Sequence, residues 1–86
     1  MTPPTIGELL REFRVRACVS QGDLAEKASL SVDAVGTIER GERKVPYRST
    51  LRLLAKALDL SPEERTAIED ARAYARGKPR KFPPPA

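Results

Sequence analysis

Histidine and tryptophan are missing from this chain, and cysteine occurs once, at Cys18. A single cysteine excludes a disulfide framework and a CxxC metal site, and reads as a small helix-end residue rather than a redox switch. Without histidine there is no Ser/His or Cys/His pairing, and the acids sit mostly where helix caps need them, so no convergent acid/base pair stands out. Catalysis, a metal and a cofactor are therefore all unexpected. No apolar run approaches the ~18 residues of a membrane span, and Met1-Thr2-Pro3-Pro4 lacks the apolar core of a signal peptide. A cytoplasmic, reducing location without membrane contact is expected. At 86 residues the chain makes one small domain, near the size at which a single core is only marginally sufficient, with no room for a large catalytic cleft.

The net charge of +4 is unevenly placed. Arg76, Lys78, Arg80 and Lys81 carry four positive charges with no acid after Asp70; removing them from the sixteen basic residues leaves twelve against twelve acids over residues 1–75. Within that neutral body, Arg40, Arg43, Lys44, Arg48 and Arg52 face Glu42 alone. Such an excess is either a solvated face or a surface for phosphates.

Helix signals recur along the chain and no strand pattern does. Thr5-Ile6-Gly7-Glu8 has the form of a capping box, followed by Ile6, Leu9, Leu10, Phe13 and Ala17 on one face of a helix over about 6–17. Ser20 caps a short second helix that ends near Ala28, with Asp23 in its first turn and Leu24, Ala25 and Ala28 inward. Ser31 caps a third that buries Ala34, Val35 and Ile38 and stops at Gly41. Leu51, Leu54, Ala55 and Leu58 place a fourth at about 48–58. Ser61-Pro62-Glu63-Glu64 starts a fifth, with Ala67, Ile68, Ala71 and Tyr74 facing in. Beyond Arg76, the Gly and Pro residues among basic ones cannot build helix or core. The division is thus a domain over 1–75 and a basic, Pro-rich flexible tail or linker over 76–86. The expectation is a compact, all-α, five-helix domain.

The run Ser20-Gln21-x-x-Leu24-Ala25-x-x-Ala28-x-Leu30-Ser31-x-x-x-Val35-x-x-Ile38-Glu39-Arg40-Gly41 closely resembles the helix-turn-helix of the Xre/Cro, lambda-repressor-like family, and the similarity extends over roughly Ile6 to Ala71. It implies the lambda-repressor-like fold, with the helix-turn-helix at the second and third helices. It further implies sequence-specific binding of double-stranded DNA at an operator, transcriptional control, and a homodimer on a palindromic site. Leu24, Val35, Ile38, Leu51 and Leu54 would build the core, and Ala25 is small where the second and third helices cross. By the same resemblance Arg14 and Glu39 form a partly buried, structural ion pair, since either charge alone beside the core costs several kcal/mol.

The binding residues follow from the same likeness. Ser20 and Gln21 lie at the start of the second helix, where the family touches a backbone phosphate and the glutamine can also brace the recognition helix; the outward amides there suit a phosphate as well. Arg40, Arg43, Lys44 and Arg48 match the segment that grips the sugar-phosphate backbone. The base-reading positions become Val32, Asp33, Gly36 and Thr37. None is the Arg, Lys, Asn or Gln that reads guanine or adenine strongly. Val32 and the Thr37 methyl can meet thymine methyls, Asp33 can accept from cytosine or cap its helix, and Gly36 permits close approach. Specificity is then expected from thymine contacts, water and DNA shape, with affinity from phosphates.

The chain departs from the family's habit of Gly just after the first, second and fourth helices, carrying Cys18, Ser29 and Asp59 there. If those positions keep positive φ, each costs on the order of 1 kcal/mol, and modest stability is expected. Tyr74 either finishes the core or belongs to a dimer contact, and Phe82 has no predicted core to join. The tail KPRKFPPPA resembles the interdomain linkers of larger actinobacterial regulators, which implies a C-terminal regulatory region beyond it, or else a flexible arm on DNA. The competing reading is a protein-interaction module on the same fold, with Val32 and Gly36 as an apolar docking patch.

Overall fold

The structure, a computed structural model, describes residues 4–77. Its elements run α1 (Ile6–Arg16), α2 (Gln21–Ala28), α3 (Val32–Glu39), α4 (Arg48–Ala57) and α5 (Pro62–Ala75), with no strand among the described residues. The helix starts are chemically explicit. Thr5 and Ser61 each form a complete capping box, the Glu8 and Glu64 carboxylates accepting from the cap residue's own amide at 2.9 and 2.8 Å. Those amide bonds hold both carboxyls below the ordinary glutamate range. Ser20 and Ser31 cap α2 and α3 through their hydroxyls. Tyr47 precedes α4 with no side-chain cap bond.

The helix ends differ from the starts in cost. Cys18, Ser29 and Asp59 adopt φ of 60°, 59° and 52°, so the left-handed positions after α1, α2 and α4 are all held by residues with a Cβ. Helices one residue shorter than expected at α1 and α4 follow from this, because Ala17 and Leu58 serve as the C-caps before the reversal. Replacing each strained residue by Gly, weighed against the extra backbone entropy Gly loses, is expected to gain about 0.5–1 kcal/mol per site. The three sites share no hydrogen-bond partner, so thermal denaturation of the triple variant should show near-additive gains; a triple variant no more stable than the parent would contradict the strain at these positions.

One core joins the helices: Ile6, Leu10, Phe13, Leu24, Ala25, Ala28, Val35, Ile38, Leu51, Leu54, Ala55, Leu60, Ile68 and Ala71 are buried. α2 packs on both α3 and α4, while α1 packs on α3 and α5. Gly7 marks the tightest crossing. A Cβ there would strike the carbonyl oxygen of Ile38 and lie 2.8 Å from that of Glu39, so α1 and α3 touch backbone to backbone. Two inward assignments need correction. Ala17 is exposed because it lies past the last turn of α1, and Tyr74 is 55% exposed at the edge of a hollow between α5 and the start of α1. Tyr74 therefore does not finish the core. Phe82 and the tail from Lys78 fall outside the described residues.

Candidate nucleic-acid interface

α2 and α3 are joined by Ser29-Leu30-Ser31, with Ser29 left-handed and the Leu30 amide donating to the Ala25 carbonyl at 2.8 Å. This tight reversal leads straight into the Ser31 cap of α3. It also brings the two helix starts together: a Cβ on Gly22 would sit 3.9 Å from Ser20 Oγ and 4.0 Å from Val32 Cγ2. Ser20, Gly22 and Val32 thus share one exposed face, with Val32 52% exposed.

A single carboxylate binds this face to the rest of the fold. Glu39 accepts from Arg14 Nε at 2.7 Å and Nη2 at 3.1 Å, and from Gln21 Nε2 at 3.1 Å. Arg14 also donates from Nη1 to the Val19 carbonyl at 2.9 Å. The two charged side chains are 14% and 4% exposed, so the expected Arg14–Glu39 pair is present, two-pronged and largely desolvated. α1, α2 and α3 meet at this point. Gln21 spends its amide nitrogen on Glu39, which is the bracing role; its amide at the start of α2 stays beside Ser20.

The far end of α3 positions the basic loop. Gly41, at φ 80°, turns the chain, and the amides of Glu42 and Arg43 both donate to the Thr37 carbonyl at 2.9 and 3.2 Å. Arg43 is thereby tied to α3, and its guanidinium carbon lies 5.8 Å from the Tyr47 ring centroid. Ser31, Asp33, Thr37, Arg43, Tyr47 and Thr50 line one open concavity of about 340 Å³. Tyr47 and Thr50 escaped the sequence reading. An exposed Tyr beside a basic cluster was the available signal for the first; nothing local marked Thr50.

The remaining candidates separate. Lys44 lines a second hollow, shared with Arg43, beside Gly7, Ala71 and Tyr74. Arg48 faces α5, with Nη2 3.5 Å from Glu69 Oε1. Arg40 donates to Glu42 at 2.6 Å; that bond raises the guanidinium pKa and lowers the carboxyl's, yet both groups are well exposed, so a phosphate can compete for the arginine. Gly36 is buried rather than open. A Cβ there would lie 2.8 Å from Arg40 Nη1, because the Arg40 side chain lies across it. The face therefore offers Val32, Asp33 and Thr37 at its surface with Arg40 over Gly36. Thr37 is half-buried, its hydroxyl donating to the Ala34 carbonyl at 2.9 Å while its oxygen can still accept.

A helix-turn-helix domain family matches residues 5–68. The solution structure of the DNA-binding domain of the P22 c2 repressor, residues 1–76, which was compared with that of the 434 repressor, is 30% identical with a TM-score of 0.70, over 78% of this chain and 87% of that one. The chain belongs to the lambda-repressor-like helix-turn-helix family. No curated protein matches it. Within this helix-turn-helix domain, α2 and α3 are the defining pair and α1, α4 and α5 the support. No helix among the described residues is long and apolar enough to cross a membrane, and no group of His, Cys, Asp and Glu among them could hold a metal.

Proposed function

We propose that this helix-turn-helix domain is the DNA-binding module of a transcriptional regulator, laying α3 in the major groove of an operator and acting as a homodimer on an inverted repeat. The observation that carries this reading is the shared concavity of Asp33, Thr37 and Arg43, in which a cation held by Tyr47 stands beside the exposed edge of α3. A duplex seated on Val32 and Thr37 meets Arg43 at the same time. Ser20 and Gln21 at the start of α2 take a phosphate on the other flank, where free helix amides favour an anion. The P22 c2 repressor domain supports it by likeness of fold and sequence. Arg40 and Lys44 contribute from the rim, and Arg48 after releasing Glu69.

Selection of bound sites from random duplexes tests the reading. An enriched inverted repeat with half-sites about one helical turn apart is expected, reflecting a twofold protein. Four phosphate contacts per protomer, from Arg40, Arg43, Lys44 and Arg48, give a fall of log affinity with log salt of slope about −3.6. Arg43→Glu should weaken binding at least about tenfold and make the slope shallower by about one. Salt-independent retention, or no enrichment, would overturn the assignment.

A further inference from the structure

α5 packs on α1 rather than closely on α4, which leaves a cleft between α4 and α5. It has a volume of about 200 Å³ and is lined by Leu51, Ala55 and Ile68 with Arg48, Arg52, Arg65, Arg72 and Glu69. No lining residue belongs to α2, α3 or the loop between α3 and α4; Arg48 alone is shared with the proposed DNA contacts, and the rest of the cleft lies apart from them. Its floor is apolar: Leu51, Ala55 and Ile68 are core residues whose outer edges meet the opening. Its rim is cationic, with four guanidiniums against one carboxylate. Glu69 answers Arg48. Arg65 and Arg72 are held in place from Nε by the Leu60 carbonyl at 3.2 Å and the Pro46 carbonyl at 2.8 Å. Those bonds fix two side chains without neutralising them, since a carbonyl carries no net charge.

From this charge pattern we infer that the α4–α5 cleft docks an acidic segment of a protein partner, seating one aliphatic or aromatic side chain on the Leu51–Ile68 floor and its flanking carboxylates on Arg52, Arg65 and Arg72. The volume is below the roughly 300–1,000 Å³ of small-molecule sites and suits a single anchoring side chain. Arginine forks match carboxylates two-pronged and tolerate partial burial, which a rim around an apolar floor requires. A DNA backbone would satisfy the rim but has no apolar group for the floor. The carboxylate-bearing peptide satisfies both.

The test uses the full chain, labelled with ¹⁵N, and a synthetic peptide of glutamates flanking a central leucine. Saturable shifts centred on Leu51, Arg52, Ala55, Arg65, Ile68 and Arg72 are expected. Exchanging glutamate for glutamine, or the central leucine for alanine, should each weaken binding severalfold. Arg52 is exposed, so Arg52→Glu should preserve the melting temperature while weakening the peptide about fivefold, the size expected of an exposed ion pair whose sign is reversed. The same variant should bind the selected operator within about twofold of the parent at physiological salt, where the Debye length is about 8 Å. Arg43→Glu should do the opposite, losing the operator and keeping the peptide. Failure of the DNA reading thus leaves the cleft standing, and the reverse. The inference is overturned if the shifts do not saturate, if the glutamine peptide binds equally well, or if a random duplex displaces the peptide from the cleft.

Discussion

Gly7→Ala is expected to lower stability by about 2–3 kcal/mol, although the same change on an ordinary exposed helix gains about 1 kcal/mol. Two effects oppose each other at this site. Alanine favours the helical backbone, but its methyl carbon would enter the space held by the Ile38 and Glu39 carbonyl oxygens. Those are backbone atoms of α3 and cannot rotate aside, so α1 has to lift off α3. The core contacts of Ile6, Leu10 and Phe13 would loosen with it. In a small domain with total stability of about 5 kcal/mol, that loss leaves about 2–3 kcal/mol and raises the unfolded fraction to about 1–4%. Gly22→Ala is the control. Nothing lies within 3.9 Å of its added carbon, and it should be neutral or slightly stabilising. Urea denaturation of both variants decides the matter, and equal midpoints for Gly7→Ala and the parent would mean the crossing is looser than described.

Glu39→Ala is expected to cost about 3 kcal/mol, the scale for removing one partner of a desolvated ion pair. The carboxylate accepts from Arg14 twice and from Gln21 once, so its removal leaves donors on two helices facing an apolar hole. The Arg14 charge would keep only the Val19 carbonyl. Removing both charges is a different experiment. The double variant Arg14→Met with Glu39→Leu should recover most of the loss, because a well-packed apolar pair of similar volume avoids the desolvation cost altogether. A double-mutant cycle by urea denaturation measures this coupling. If Glu39→Ala and the double variant are equally unstable, packing rather than charge pairing holds the three helices together. The double variant also separates fold from binding: Gln21 loses its acceptor in it, so operator affinity should fall even where stability returns.

The parts of the fold that were legible in the sequence are those whose physics is local. Thr5 with Glu8 and Ser61 with Glu64 announce two helix starts because the bonds span three residues. Cys18, Ser29 and Asp59 were expected at left-handed helix ends only through the family likeness, since none of them is the Gly that marks such an end locally. The Arg14–Glu39 pair came from family likeness, since nothing in the spacing of the two residues brings them together. Gly7 was opaque for the same reason: within α1 it looks like a cost, and only the backbone of α3 explains it. In the basic segment, the sequence indicates a cluster but not the directions its members take. Arg43 is tied to Thr37 by its own amide and that of Glu42, whereas Arg48 turns toward Glu69 on a distant helix that the segment alone does not reveal. Tyr74 continued the apolar stripe of α5, but periodicity does not report whether the facing surface closes over the side chain, and here a hollow remains.

The bond from Gln21 to Glu39 has a mechanical meaning. Under the proposed DNA reading, an α3 already clamped to its support by one carboxylate arrives at the duplex with little motion left to freeze, which spares the encounter an entropic toll. Adjustment then falls to the softer body, and sequences that bend readily should be favoured even at steps no side chain touches.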